Sequence, residues 1–275
     1  MSEIRLKLHP RQSLAFLSKA TEILYGGAAG GGKSHLMRVV AIMLCMAVAG
    51  LQVYIFRRVS DDLRKNHLEG PSGLRAMLAA LMDSGHCKFN DQKGFFEFWN
   101  GSKIYLCHCQ HEKDMYKYQG AEIHVLLVDE LTLFTEPIYR FLRGRVRLGG
   151  LNVPSEYKHK LPLVLCGSNP GNIGHVWVKK MFVDYAPPME ITRTPAAEGG
   201  MLRQYIPAKL ADNPTLAAND PDYESRLEGL GNPALVAAMK NGDWDIIDGA
   251  YFSEFERSRH VLKPFTIPAH WPRIM

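Results

Sequence analysis

The chain has 275 residues, 46% of them apolar and 22% charged, which is enough to bury a sizeable core and excludes a disordered or fibrous protein. A net charge of +5, from 33 Lys and Arg against 28 Asp and Glu, permits contact with nucleic acid without requiring it. No run approaches the ~20 apolar residues of a membrane span, Met1-Ser2-Glu3-Ile4 lacks the form of a signal peptide, and the five cysteines show no framework spacing, so a cytoplasmic protein with reduced thiols is expected.

In chain order, residues 21–25 read as a short strand, and Gly27-Ala28-Ala29-Gly30-Gly31-Gly32-Lys33-Ser34 after it fits G-x-x-x-x-G-K-[ST], the Walker A phosphate loop. Residues this bare let the backbone close around a phosphate with its N–H groups aimed inward, while Lys33 neutralises charge and the Ser34 hydroxyl ligates magnesium. Residues 35–49 read as a buried helix closed by Gly50, so strand, loop and helix follow in the required order, which a chance glycine-rich linker would not supply.

Residues 52–56 form a further expected strand, followed by Arg57, Arg58 and a helical stretch to about Met82. Residues 95–99 and 102–107 flank Asn100-Gly101, the signal for a hairpin with a tight primed turn that adds antiparallel strands to the sheet. Cys107-His108-Cys109-Gln110-His111 has two readings, a zinc ligand set or a strand of small core residues. The two cysteines share one face of a strand and no second ligand pair stands at metal spacing, which favours the strand.

Residues 123–130 are an apolar run suited to a strand buried on both faces of a parallel sheet, and they end in the acids a phosphate loop needs beside it. Asp129 is the expected holder of magnesium, directly or through water. Glu130 is the expected general base that polarises the attacking water, which makes the chain a hydrolase rather than only a nucleotide binder. Arg140 to Arg147, with Lys158 and Lys160 beyond, concentrates positive charge; it either touches DNA phosphates or a neighbour's nucleotide, or is a solvated helix face. Residues 161–166 are the next strand, and Gly167-Ser168-Asn169-Pro170-Gly171 follows. Asn169 is the candidate γ-phosphate sensor, although Asn-Pro-Gly is also an ordinary turn.

From Gly174 the pattern changes to shorter helices and loops, with 203–207, 221–228 and 233–240 stopped by Gly242, and reads as a small lid subdomain. Residues 263–272 carry prolines at linker density. The expected architecture is α/β: a P-loop NTPase fold of the catalytic-glutamate branch, with a mostly parallel central sheet, antiparallel additions and flanking helices. Residues 1–180 would be the ATPase core, 181–256 the lid and 257–275 a linker.

Taken in order, these motifs resemble the large terminase subunit of tailed bacteriophages, the ATPase that drives DNA into the capsid. His9-Pro10-Arg11-Gln12 resembles that family's adenine-reading segment, with Gln12 the contact, and residues 26–34 its Walker A. Tyr118-Gln119-Gly120 and Val128-Asp129-Glu130 are similar to the approach to its Walker B, residues 167–170 to its coupling motif, and residues 177–182 to its link to the lid. Residues 211–216, 241–244 and 249–252 resemble the lid, and this series in this order is the specific part, because Walker A and B are shared with many ATPases.

The resemblance implies ATP hydrolysis with Mg2+ and nucleotide contacts from Gly27 through His35. It also implies a homo-oligomeric ring on the capsid that acts on double-stranded DNA with a portal protein and a small terminase subunit. The setting would be the host-cell cytoplasm at the procapsid portal, with no membrane. The alternatives are a helicase-like translocase or a nucleotide-switched binding module, and the base Glu130 argues against the switch. Two departures stand out. Gln119 occupies the place where many relatives carry an arginine finger serving a neighbouring subunit, so Arg145 becomes the candidate finger, with Arg143 and Arg147 behind it and Arg57 or Arg58 as alternatives in cis. The family continues into an RNase H-type nuclease domain, whereas this chain stops at Met275, so an isolated motor domain without nuclease activity is expected.

Overall fold

The strands are β1 (Glu22–Gly27), β2 (Gln52–Arg57), β3 (Cys87–Asn90), β4 (Phe95–Phe98), β5 (Lys103–His108), β6 (Val125–Asp129), β7 (Leu163–Ser168), β8 (Thr192–Arg193) and β9 (Leu202–Ala208). In the computed structural model, which describes residue 4, residues 6–245 and residue 271, they form one sheet in the order β3-β4-β5-β2-β6-β7-β1-β9-β8. The six strands from β5 to β9 in that order run parallel; β3, β4 and β8 are antiparallel additions at the two sides. One strand, β7, separates the phosphate-loop strand β1 from the acidic strand β6.

The apolar run of β6 shows why the parallel centre is buried on both faces. Successive side chains of a strand point to opposite faces, and here Val125 and Leu127 enter one core while Leu126 and Val128 enter the other. Helix α1 (Pro10–Leu17) and helix α2 (Lys33–Ala47) contribute to the first core, and α2 is apolar nearly all round because its Leu36, Met37, Val40, Ala41, Leu44 and Cys45 are all buried. The second core lies under the helix Glu136–Arg143 and the turns from His175 to Val183. In-register pairing brings the carboxyl ends of the central strands level, Gly26 beside Ser168 and Asp129 beside Gly167, so the loops after them share one edge.

Several expectations need correction. Asn100 does not adopt the left-handed backbone that a two-residue primed turn requires; only Gly101 does, at φ 79°. Phe98 N–H donates to Ser102 O at 2.9 Å and Gly101 N–H to Phe98 O at 2.9 Å, so a longer loop closes the hairpin. The helical stretch to Met82 is broken into Ser60–Leu63, a π-helical turn Arg64–Leu68, Leu74–Met77 and Ala79–Asp83, because Gly70-Pro71 interrupts it with Gly70 at φ 77°. Residues 203–207, expected within the lid, form most of β9 and pair with β1, so the sheet crosses the boundary placed at residue 180. Their polar side chains find buried partners: Arg203 Nε donates to Glu22 at 2.8 Å, and Gln204 bonds Ser18 Oγ at 2.6 Å and Met189 O at 2.6 Å. Residues 249–252 and all of 257–275 except 271 lie outside the described residues.

Candidate active site

Two glycines shape the phosphate loop. Gly26 has φ +138° and lies so close to β7 that a Cβ would collide with the Ser168 carbonyl oxygen. Gly32, the N-cap of α2 at φ +76°, has Gln12 packed where a Cβ would stand. Beyond them a row of donors is open. Among the described residues, the N–H groups of Gly30, Gly31, Gly32, Lys33, Ser34 and His35 donate to nothing in the chain, and they stand at the start of a fifteen-residue helix. Successive free amides at a helix N-terminus form a concave anion site. The amides of Ala28 and Ala29 are instead taken, by Ala208 O at 3.0 Å and Met239 O at 2.6 Å.

Lys33 Nζ, buried beneath the loop, donates to Ala28 O at 2.9 Å and to Asn169 Oδ1 at 2.5 Å. Burial lowers its pKa, and the charges of Glu130 and Asp129 raise it. Ser34 Oγ lies 3.2 and 3.4 Å from the two oxygens of Asp129, so the helix opening on the loop meets the end of β6 through the pair expected to share a metal. Burial alone raises the Asp129 carboxyl, but the hydrogen bond from His67 Nε2 at 2.9 Å, with the charges of Arg57 and Lys33, holds it below the usual carboxylate range. The donor set fits magnesium, a hard cation that takes one hydroxyl and one carboxylate together with phosphate oxygens and waters. No group of three His, Cys, Asp or Glu among the described residues, those of 107–111 included, stands close enough to cage a metal. There Cys109 Sγ donates to His111 O within the chain.

Glu130 leaves the strand in the left-handed region, φ 55° and ψ 59°, a conformation that costs energy in a residue with a side chain. No hydrogen bond engages its carboxylate among the described residues. Burial raises its pKa, Lys33 and Arg57 lower it, and Asp129 adds to the rise. A free carboxylate with a raised pKa beside an ammonium has the chemistry of a general base.

Asn169 joins these acids to the rest of the chain. Its carbonyl accepts from Thr132 Oγ1 at 3.1 Å, and Thr132 N–H donates to Ser168 Oγ at 3.0 Å, tying the loop after β7 to the loop after Glu130. Further along, Gly171 N–H donates to His175 Nδ1 at 2.8 Å, which leaves Nε2 to donate to Trp244 O at 3.1 Å; Trp244 Nε1 in turn donates to Tyr205 OH at 3.1 Å. The segment after β9 grips the phosphate loop from above, where Asn213 Nδ2 donates to Gly30 O at 2.7 Å.

Gln12 is buried, its Oε1 accepting from His9 N–H at 2.8 Å and its Nε2 donating to Gly32 O at 2.8 Å. One amide N–H and one lone pair remain. They border a cavity of about 440 Å³ lined by His9, Gln12, His35, Arg38, Asn213 and Thr215. The His35 ring is held by Lys7 O at 2.9 Å.

The basic segment is largely neutralised within the chain. Arg143 bonds the buried Glu22 at 2.8 Å, Arg140 pairs with Glu136 and Glu198, and Arg147 lies 3.8 Å from Glu122. Arg145 Nη1 donates to Gln119 O at 3.0 Å, and its backbone pairs with Ile123, six residues before Asp129. At ~3.3 Å per strand residue that is roughly 20 Å from the acids, so Arg145 is not brought to its own phosphate loop. Arg57 is: its Nε lies 3.5 Å from Asp129 Oδ2, while Arg58 donates to Leu133 O. His67, Arg38 and Asn213 escaped the sequence reading. Only Asn213 carried a signal, as the helix-capping residue before Pro214.

The family described as terminase large subunit, T4likevirus-type, N-terminal matches residues 24–259. Among solved structures, the large terminase from a thermophilic bacteriophage, in complex with ATP-gamma-S, is similar over 95% of this chain and 59% of its own, at 14% identity and a TM-score of 0.63. The large terminase of the same phage in another crystal form is similar over 86% of this chain and 54% of its own, at 14% identity and a TM-score of 0.62. The ATPase domain of the Thermus phage P74-26 large terminase covers 86% and 94%, at 12% identity and a TM-score of 0.57. At such identities the likeness is one of fold, and this chain spans 54–59% of the length of the first of these large terminases. No curated protein matches.

Proposed function

The chain belongs to the T4likevirus-type terminase large subunits, matching their N-terminal part, and from that premise we propose that it is an ATP-hydrolysing motor domain that moves double-stranded DNA into a procapsid. The observation that carries the reading is the convergence, at one sheet edge, of the amides of residues 30–35 and the Glu130 carboxylate, which have no hydrogen-bond partner among the described residues, with Lys33 and the Ser34–Asp129 pair. In this reading the amides and Lys33 hold the β- and γ-phosphates, and Gln12 and its cavity take the adenine. Ser34 and Asp129 hold Mg2+, which when bound neutralises charge on the phosphates. Glu130 accepts the proton of a water whose oxygen attacks the γ-phosphorus as the bond to the bridging oxygen breaks, so ADP and phosphate leave. Asn169, bonded to Lys33, registers the loss of the γ-phosphate and passes it through Thr132 and His175 toward the lid, which begins after β9.

The partners this reading takes are a ring of identical subunits on the capsid, a portal protein and a small terminase subunit. The family supports partners of the DNA-packaging kind; these individual partners, and a setting in the host cytoplasm, are proposed with them. No described helix is long and apolar enough to cross a membrane. Phosphate release from ATP by the purified chain tests the proposal. Glu130→Gln is expected to bind ATP nearly normally and turn over at least roughly 100-fold more slowly; unchanged turnover in that variant would remove Glu130 from the chemistry.

A further inference from the structure

Asp129 does not orient itself. His67 is as fully buried as Asp129 and brings Nε2 to 2.9 Å from Oδ2. An ionised carboxylate only accepts hydrogen bonds, so Nε2 carries the proton. Nδ1 is buried and has no hydrogen-bond partner among the described residues, so the ring's one bond is the one to Asp129.

The ring is held in place from the phosphate-loop side. It belongs to the π-helical turn Arg64–Leu68, a widened turn of a kind that is frequent at functional positions. The carbonyl of Asn66, next to it in the chain, accepts from Arg38 Nη1 at 2.7 Å. Arg38 lies four residues after Ser34 on α2, so the helix that supplies the hydroxyl also clamps the turn that aims the imidazole. Arg57 Nε stands 3.5 Å from the same Oδ2. Oδ2 is thereby engaged by His67 and Arg57 and lies 3.2 Å from the Ser34 hydroxyl, while Oδ1, among the described residues, has only that hydroxyl within hydrogen-bond reach, at 3.4 Å.

We propose that His67 is a positioning residue that holds the Asp129 carboxylate with Oδ1 presented to the divalent cation, and so sets the cation concentration the site needs. The proposal rests on the reading of Asp129 as the metal-holding acid. Outer partners of metal ligands characteristically change metal affinity by about 10- to 100-fold when removed.

The test uses the purified chain with ATP-gamma-S, following Mn2+ binding by electron paramagnetic resonance and nucleotide binding in EDTA. His67→Leu is expected to weaken Mn2+ binding by about 10-fold or more while leaving metal-free nucleotide affinity within about twofold. His67→Gln, which keeps an N–H donor at the reach of Nε2, is expected to recover most of the loss. His67→Asn, polar but too short to reach Asp129, should behave like His67→Leu and replaces it if the leucine variant does not fold. Wild-type Mn2+ affinity in the leucine or asparagine variant, or equal impairment of glutamine and asparagine, overturns the role of His67. Asp129→Asn separates the two claims: unchanged Mn2+ binding there sinks the assignment of Asp129 itself, whereas a loss there with normal binding in the His67 variants sinks only the inference about His67.

Discussion

Lys33→Met removes one ammonium from the phosphate loop and keeps most of the bulk of its stem. In the structure Nζ already spends two of its three N–H bonds, on Ala28 O at 2.9 Å and Asn169 Oδ1 at 2.5 Å, leaving one for a phosphate oxygen. A hydrogen bond to a charged group contributes about 1.5–3 kcal/mol, and at 1.4 kcal/mol per decade its loss weakens ATP binding by roughly 10- to 150-fold. A second consequence follows from the neighbouring acid. Lys33 is the first of the charges that lower the Glu130 pKa, so without it burial raises that carboxyl further and depletes the basic form. Turnover at saturating ATP should therefore fall as well, which separates this variant from Glu130→Gln, where binding stays and only turnover falls. Fluorescent-nucleotide titration in EDTA gives the first quantity, phosphate release at saturation the second, and a melting curve confirms the fold. ATP affinity within about twofold of wild type in a folded Lys33→Met protein would refute the placement of Lys33 against the phosphates.

Glu22→Leu leaves Arg203 and Arg143, whose side chains are 2% and 9% exposed, without their carboxylate; removing one partner of such a buried cluster costs about 3–5 kcal/mol, read as a lowered urea midpoint, and a loss under about 1 kcal/mol would show that the cluster does not stabilise β1 and β9. Burial lowers Lys160 to about 8 in the folded chain, below the ~10.4 of a free lysine. The unfolded chain then binds that proton more tightly, so the contribution of Lys160 to stability rises from about pH 8 to about pH 10.4 and is flat below; urea unfolding should show this slope in the wild type and lose it in Lys160→Met, and equal slopes would contradict the burial. Arg145, too far from its own loop, can act only on a neighbour's: Arg145→Ala mixed with Glu130→Gln should regain part of the activity each lacks, and a mixture as inactive as its components, where wild type assembles and turns over, would exclude Arg145 as a finger in trans.

The parts of this site legible in the sequence were those set by local spacing. A bare loop between a strand and a helix fixes where amides, Lys33 and Ser34 stand, and the two-residue period of an apolar strand fixes where Asp129 emerges, because each depends on backbone geometry over fewer than about ten residues. What escaped depends on pairing between distant segments. Arg143 reads as a surface charge until Glu22, 121 residues earlier, is found buried against it, and β9 reads as lid until Arg203 is seen to serve the same carboxylate. The contact of His67 with Asp129 spans 62 residues and has no periodic or compositional trace. A polar side chain looks solvated in sequence because burial without a partner is costly, and the inference fails where the fold supplies the partner. The failures therefore fall where the chain buries charge: around Glu22, where the cluster joins β1 to β9, and around Asp129, where the buried groups position an acid. In the second place one carboxylate offsets the cost of burying His67 and half-burying Arg57, so a substitution that neutralises Asp129 should loosen both side chains and not only the metal.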